Sequence, residues 1–418
     1  MKQSNQYFDI LIVGGGAAGL AAAIEAGMQG ASSIAVAEKR DVPGKKLSAT
    51  GNGRCNLSNI KCENRLAVED FFHKVGILTR IDGEGRLYPY SEEAGQVVGL
   101  LVERAKQFHT EFMTNCQVLW IKKEAPVSAA ESGGFIVGVK AQSGQRVIRS
   151  KKVLLAAGGK SYSIFGTAGE GYPMAKSFGH EITRLAPSLV PIEVAEDLRQ
   201  IAGVRAKAKV SLWRLGRLIA EEMGELQLNK DCLSGICIMN LSRLLVLTEG
   251  KPISEAFCEY EIRVDLFPEM TLEQLNTLLS DRVHLTESLL RSMVKEKLAA
   301  YLLNQTKHMS EKERIPFLCR LIKDLRFHVT GTKGWNDAQV TRGGVSLSEI
   351  DEDTMESKLQ KGLYFAGEIT DYDGPCGGFN LHYAWLSGSK AGKAMAAALA
   401  TEAEGADHRI SCGDHNYV

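Results

Sequence analysis

The sequence predicts an α/β fold in which both ends of the chain build one Rossmann-like domain around an inserted middle. Three observations predict it. A strand, glycine turn, helix, strand and acid fill the first forty residues; two apolar strands with small residues at their ends stand far apart, at 153–159 and 362–368; and the pattern between them changes to short strands and then to helices.

The N-terminal layout assigns each part a task. Tyr7 to Val13 is a short apolar run, Gly14-Gly15-Gly16-Ala17-Ala18-Gly19 opens an alanine-rich helix, and Ser33 to Ala37 is a second apolar run ending at Glu38. In a dinucleotide-binding unit the first glycine permits the tight turn, Gly16 lets the backbone approach a pyrophosphate, and Gly19 lets helix and strand pack closely. The free N–H groups and positive dipole end of the helix then face the phosphates. Glu38, nineteen residues after Gly19, is placed to accept hydrogen bonds from an adenosine ribose. A carboxylate there favours the free 2′-OH of FAD or NAD and repels the 2′-phosphate of NADP. Ala17, Ala18 and Lys39 are counted with this site.

The chain then continues as a mosaic. Gly44 to Asn56 (GKKLSATGNGRCN) is a polar, glycine-punctuated loop, and long ordered loops are usually functional. Lys45 and Lys46 can neutralise phosphate charge, while Asn52, Gly53, Arg54, Cys55 and Asn56 offer contacts to a flavin or its substrate. A helical pattern covers Ser91 to Phe108. Strands are expected at Cys116 to Lys122, which carries Val118, a further expected cofactor contact, and at Gly134 to Ala141, Arg146 to Ser150 and Val153 to Ala156. Leu189 to Val194, Ala208 to Leu212 and Tyr260 to Leu266 read as strands, and Thr271 to Lys323 as helices with apolar residues three and four apart. Strand and glycine-turn character returns from Gly343, a helix is expected over Ala384 to Ala400, and the polar tail from Thr401 to Val418 is expected to fray.

The two distant strands complete the argument for a flavin. Val153 to Gly159, with Ala156, Ala157 and Gly158 at its end, lets a strand approach the adenine and ribose. Near the C-terminus, Gly362 to Glu368 ends in Gly367-Glu368, and Asp373 to Leu381 leads through Gly378, Phe379 and Asn380 into the last helix. Glu368 could bind ribityl hydroxyls. Donors at Gly378 to Leu381 would stabilise the charge that develops on a flavin pyrimidine ring on reduction.

With 418 residues the chain exceeds one ordinary core, and fifty basic side chains balance fifty acidic ones. That balance, without a long basic tract, argues against nucleic acid as a partner. No apolar run is long enough to span a bilayer, and no secretory leader pattern is present. Nine scattered cysteines without zinc spacing point to free thiols in a reducing cytoplasm, and no metal is expected. Cys55 and Cys62 are too far apart for the redox disulfide of the disulfide-reductase class.

These motifs together resemble the BaiN/YhiN-type family of FAD-dependent oxidoreductases, whose fold is similar to the glutathione-reductase and fumarate-reductase flavoproteins. The resemblance covers nearly the whole chain. It rests on GKKLSATGNGRCN, on Gly166 to Tyr172 (GTAGEGY), Thr341 to Glu349 (TRGGVSLSE) and Thr354 to Lys358 (TMESK), and on GLYFAGE and GGFNL. It implies non-covalent FAD and a discontinuous flavin domain over 1–186 and 335–405. It further implies a β-barrel-like domain over 187–268 and 325–334, a helical domain over 269–324 and a polar tail over 406–418. Gly166 joins the expected cofactor contacts on this basis. Family members are described as NAD(P)/FAD-utilising dehydrogenases, some branches being associated with amine oxidation and others with reduction of carbon–carbon double bonds.

Two departures bear on chemistry. Relatives carry histidine where this chain has Lys230, and proline where it has Ile236. His382 stands where relatives often carry glutamine. Arg54, His382 and Lys230 are therefore the candidates for a catalytic role, and Tyr88 to Ser91, Trp335, Asn336 and Arg342 for the substrate side. No second glycine fingerprint with an acid occurs between 187 and 334, so NAD(P)H would dock transiently as reductant. The expected activity is FAD-dependent oxidation or reduction of a small organic substrate. Two alternatives stay open, a flavoprotein that binds RNA or a protein partner, and a protein that holds NAD without flavin.

Overall fold

The computed structural model describes residues 6–125, 133–245, 253–281 and 286–413. The chain divides into two compact units, Met1–Ala186 with Val340–Val418, and Pro187–Gln339.

The first unit is organised by a sheet whose central strands bury mostly apolar residues, as a sheet covered on both faces requires. Strand β1 (Gln6–Val13) pairs in parallel with β2 (Ile34–Ala37) on one side and with the strand Gly144–Leu155 on the other. The short strand Leu363–Phe365 adds in parallel beside Val153 to Leu155. Helix α1 (Ala17–Met28) is buried from Ala18 to Gly27, and its small residues let neighbouring backbone approach closely. Its Glu25 is buried against Lys393 at 3.6 Å, and desolvation raises its pKa.

Two expectations change here. Arg146 to Ser150 and Val153 to Ala156 are one strand, Gly144–Leu155, not two. Lys151 and Lys152 read as a break, yet Lys151 pairs with Asp9 at 2.9 Å and the buried Lys152 with Glu402 at 2.5 Å. Pairing lets a charged residue stay in a strand it would otherwise interrupt. Glu402 belongs to the expected frayed tail, but the last helix runs over Phe379–Gly413, starting earlier and ending later than expected. Residues 414–418 of that tail lie outside the described residues.

The second unit contains a closed six-stranded barrel. Its strands, in spatial order, are Ile192–Val194, Cys232–Ser234, Arg217–Leu228, Val204–Arg214, Tyr260–Asp265 and Leu325–Thr332. The expected strand Ala208 to Leu212 is the middle of a longer arm, and its partner Arg217–Leu228 had no sequence prediction of its own. A two-residue turn with positive φ at Leu215 and Gly216 joins them, the geometry that matches strand twist. Leu189 also has positive φ, so the first barrel strand begins only at Ile192. Helices at Leu272–Ser280, Thr286–Met293, Glu296–Asn304 and Glu311–Lys323 follow, the first opened by a capping box between Thr271 and Gln274. Part of the expected helical stretch, 282–285, lies outside the described residues. Leu275, Leu302 and Leu318 share one core with the barrel residues Val210, Val264 and Phe327.

Candidate functional site

The chain turns that meet at the ends of the parallel strands build the site in the first unit. Gly14 has φ +106°, and a Cβ there would stand 2.4 Å from the carbonyl oxygen of Ala156. A Cβ on Gly19 would stand 2.0 Å from the Gly14 oxygen. Gly367, at φ +73°, packs against Ala18 at the head of α1. The N-terminal fingerprint, the end of the Gly144–Leu155 strand and the Gly-acid turn near the C-terminus are thus one place. Gly16 differs from its neighbours, because nothing lies within 4 Å of where its Cβ would be. No side chain caps α1, so its first N–H groups face the open side of the glycine turn.

Glu38 is locked beside that turn. Its Oε2 accepts from the backbone N–H of Gly15 at 2.9 Å and its Oε1 from that of Arg40 at 2.8 Å. Each oxygen of an ionised carboxylate has a second lone pair, so both remain able to accept from ribose hydroxyls. Lys39 pairs with Glu170 and donates to the Gly166 carbonyl at 3.3 Å, while the Arg40 side chain lies over Gly166. This fastens the GTAGEGY segment to the end of β2. Cys116 donates its N–H to the Glu38 carbonyl at 2.9 Å, which brings the strand of the buried Val118 to the same edge.

The loop from Gly44 to Asn56 holds more structure than its composition suggested. Lys45–Ser48 is a helical turn and Thr50–Gly53 a 3-10 turn, with Gly51, Asn52, Gly53 and Cys55 all at positive φ. Lys45 pairs with Asp41 at 2.5 Å. Lys46 reaches across to Glu368 at 2.5 Å and Ser161 Oγ at 2.8 Å. Glu368 also accepts from Ser161 Oγ at 2.5 Å and from the Thr341 N–H at 2.9 Å. The carboxylate expected to meet ribityl hydroxyls is therefore held in a cationic, hydrogen-bonded setting between the two motif segments. Cys55 is fully buried, and desolvation pushes its thiol up to about 12, so it stays protonated.

The start of the last helix is strapped to residues 56–59. Asn59 donates to the Gly377 carbonyl at 2.9 Å, Trp385 donates its indole N–H to the Leu57 carbonyl at 3.1 Å, and Gly378 lies against the Ser58 carbonyl and Asn56 Oδ1. Asn56 Oδ1 is buried with no hydrogen-bond partner among the described residues. Asn380 closes the turn that Asp373 opens, accepting from the Gly374 N–H at 2.8 Å and donating to its carbonyl at 2.9 Å. Phe379 and Leu381 form the first turn of the helix, half-buried.

His382 is buried with both ring nitrogens engaged. Nε2 stands 2.8 Å from the Glu63 carbonyl and must carry the proton, so Nδ1 accepts from Ser58 Oγ at 2.9 Å. Burial lowers its pKa. Sequence reading passed over His180, whose Nδ1 meets Glu349 at 3.0 Å and Nε2 meets Ser357 Oγ at 2.7 Å. Ser357 Oγ also accepts from the backbone N–H groups of Leu359 and Gln360, so the trio is a buried brace joining the two segments TRGGVSLSE and TMESK. The only advance signal for it was those segments themselves. Arg54 lies over the Tyr88 ring at 4.8 Å. Lys230, Trp335 and Asn336 belong to the second unit, and Arg342 to the first. None of Cys55, Cys62 and Cys376 is joined in a disulfide. Among the described residues no three His, Cys, Asp or Glu side chains are grouped to hold a metal ion. No described helix is long and apolar enough to cross a membrane.

A model of the HI0933-like protein Rossmann domain matches residues 64–394, most of the chain, and a model of an FAD binding domain matches residues 9–63. The chain belongs to the HI0933-like family. Within it, the chain is 34% identical to the 3-dehydro-bile acid delta(4,6)-reductase of Clostridium scindens, over 92% of this chain and 98% of that one. It is 27% identical to the ribosomal RNA dihydrouridine synthase of Escherichia coli, over 91% of this chain and 96% of that one. Among solved structures, 3-ketosteroid delta1-dehydrogenase from Sterolibacterium denitrificans aligns with a TM-score of 0.52 at 12% identity, covering 94% of this chain and all of that one, a likeness of fold alone. This HI0933-like protein is an FAD-dependent oxidoreductase of the BaiN/YhiN type, as its motifs indicated. The uncapped head of α1, the open space at Gly16 and the fixed Glu38 carboxylate fit the pyrophosphate and ribose of FAD.

Proposed function

We propose that this enzyme saturates a conjugated carbon–carbon double bond in a small organic substrate, with NADH or NADPH docking transiently as the reductant. The observation that carries this reading is the 34% identity, across nearly the full length of both chains, to a protein named as a delta(4,6)-reductase. A dihydrouridine is likewise a uridine with one ring double bond saturated, so the names of both relatives describe one kind of bond change.

FAD, when bound, supplies hydride transfer at its N5 position; the protein supplies orientation and electrostatics. In this reading the head of α1 receives the pyrophosphate, with Gly14, Gly16, Ala17, Ala18 and Gly19 leaving room for it. Glu38 and Glu368 would hold the two ribose-derived chains, with Lys46 paired to Glu368. The N–H groups from Gly378 to Leu381 would meet the flavin pyrimidine edge, and Arg54 would add positive charge on the substrate side. His382 serves as a brace that fixes the helix start against Ser58, since neither ring nitrogen is free to give a proton.

The test is anaerobic. FAD-loaded protein is mixed with NADH, NADPH or a primary or secondary amine, and bleaching of the flavin absorbance is followed; reoxidation of the reduced protein is then timed with enones, imines, uridine-containing RNA and oxygen. Reduction by a pyridine nucleotide and rapid reoxidation by an enone are expected. Reduction by an amine and by neither nucleotide would replace this reading with an amine oxidase.

A further inference from the structure

Beside the Gly44–Asn56 loop, in the same unit, lies a small three-stranded sheet whose central strand is Arg86–Pro89 and whose edge strand is Thr79–Ile81. Arg80 stands opposite Tyr88, and the Tyr90 N–H bonds the Leu78 carbonyl at 3.1 Å, so Leu78, Arg80, Tyr88 and Tyr90 share one face. Arg54 joins it from the loop, its guanidinium 4.8 Å from the centre of the Tyr88 ring, as Arg80 lies 5.7 Å from that of Tyr90. Both arginines converge on one carboxylate, Glu92, which bonds Arg80 and lies 3.8 Å from Arg54. Glu92 occupies the left-handed region, at φ +49°, and Asn52 and Cys55 on either side of Arg54 do the same. Left-handed backbone is costly for residues with a Cβ and gathers at functional sites.

Among the described residues, this face combines exposed apolar side chains with two arginines paired to one acid, leaving one net positive charge. Leu78 is 67% and Tyr90 62% exposed, so both can be covered by a ligand, while Tyr88 between them is buried under Arg54. Two guanidiniums share a single acid, and each presents planar donors suited to a carboxylate. It also adjoins the proposed flavin position: the Tyr88 ring lies against Gly51, which packs on Asn56, which in turn meets Gly378 at the head of the last helix.

We infer that the Arg54–Arg80–Glu92 face, with Tyr88, Tyr90 and Leu78, is a substrate-recognition wall for a small hydrophobic carboxylate. Its apolar body lies along Leu78 and Tyr90, and its carboxylate takes the donors of Arg80. A single net charge suits one carboxylate better than a phosphodiester chain, in keeping with the zero formal charge of the whole protein. The inference deepens the double-bond reading and rests on it for the neighbouring reaction, though the binding itself can be measured apart.

The probes are a steroid enone carrying a side-chain carboxylate and the methyl ester of the same compound, titrated into FAD-loaded protein by calorimetry and by the flavin difference spectrum. Wild type is expected to prefer the acid over the ester about tenfold, Arg80→Gln to erase the preference by weakening only the acid, and Arg80→Lys to keep part of it. In turnover the Arg80→Gln effect should fall on KM and leave kcat unchanged. Equal affinity of wild type for acid and ester would overturn the wall, as would an Arg80→Gln effect confined to an RNA fragment. Binding that depends on Arg80 without reduction of the enone would leave the wall standing and remove the double-bond reading. Reduction of acid and ester alike, indifferent to Arg80, would do the reverse. Unchanged melting temperatures of the exposed Arg80 variants verify that each outcome reports on recognition.

Discussion

Gly16 and Gly19 lie three residues apart, yet a methyl group would meet different surroundings at each. At Gly19 it would drive into the Gly14 carbonyl at 2.0 Å, so Gly19→Ala is expected to disrupt the packing of α1 on β1 and to cost several kcal/mol, on the order of other overpacked core substitutions. At Gly16 the backbone has φ −80° and the space is open, so Gly16→Ala should leave the melting temperature of the FAD-free protein unchanged. Its cost should appear only with cofactor, as at least a tenfold weaker FAD affinity, because the methyl group would occupy the approach of the pyrophosphate. Thermal melts with and without FAD check both variants, and an FAD affinity unaltered in Gly16→Ala would remove the pyrophosphate from the head of α1. Sequence alone marked both glycines as parts of one motif. The division between a packing glycine and a ligand glycine depends on which atoms face each one, which only the folded chain supplies.

Helix α1 owes its position as much to the last helix as to the sheet. A Cβ on Gly388 would stand 2.3 Å from the Ala18 carbonyl and one on Gly392 2.4 Å from that of Ala22, so two glycines four apart lie on two alanines four apart. Gly392→Leu is expected to force the helices apart and destabilise the protein by about 3 kcal/mol, read as a shift in urea midpoint, and to weaken FAD binding because α1 carries the phosphate end. The G-x-x-x-G spacing was present in the sequence but passed unread, its partner lying 370 residues away (388 against 18, 392 against 22). Histidines pin other elements together: His382 fastens this helix to Ser58, and His180 joins Glu349 to Ser357. Burial lowers the pKa of both below the usual 6.5. Between that value and the lower folded values the unfolded chain binds more protons than the folded one, so stability falls as pH drops through this window and levels off beneath it. Each histidine contributes a slope of up to about 1.4 kcal/mol per pH unit. His382→Gln should flatten the profile below about pH 6.5, as shown by urea midpoints measured across that range. A profile unaltered by the substitution would mean that His382 titrates normally.

At the scale of the molecule, the sequence made the N-terminal unit legible because its fingerprint is local: strand, turn, helix, strand and acid follow one another within forty residues. It also revealed that distant segments complement that fingerprint, and Gly14 against Ala156 and Gly367 against Ala18 are the contacts behind this. Less visible was whatever depends on pairing across the chain. Lys151 and Lys152 hid a continuous strand, Glu402 kept a polar segment helical, and the Arg80–Glu92 face drew residues from three separate stretches. The two units have separate cores, one around Ile12, Leu154 and Phe365 and the other around Val210, Val264 and Phe327. The expected FAD contacts all fall in the first unit, while Lys230, a catalytic candidate, lies in the second. A ligand stabilises only what it binds when folded, by about 2.7 kcal/mol at a hundredfold excess over Kd. Calorimetry of the whole chain should therefore resolve two transitions, of which saturating FAD raises the one belonging to Met1–Ala186 with Val340–Val418 and leaves that of Pro187–Gln339 in place. Hydrogen exchange during the melt assigns each transition to its unit. If both rose together with FAD, the barrel unit would be coupled to the cofactor, and Lys230 would return as a residue to test by substitution with glutamine.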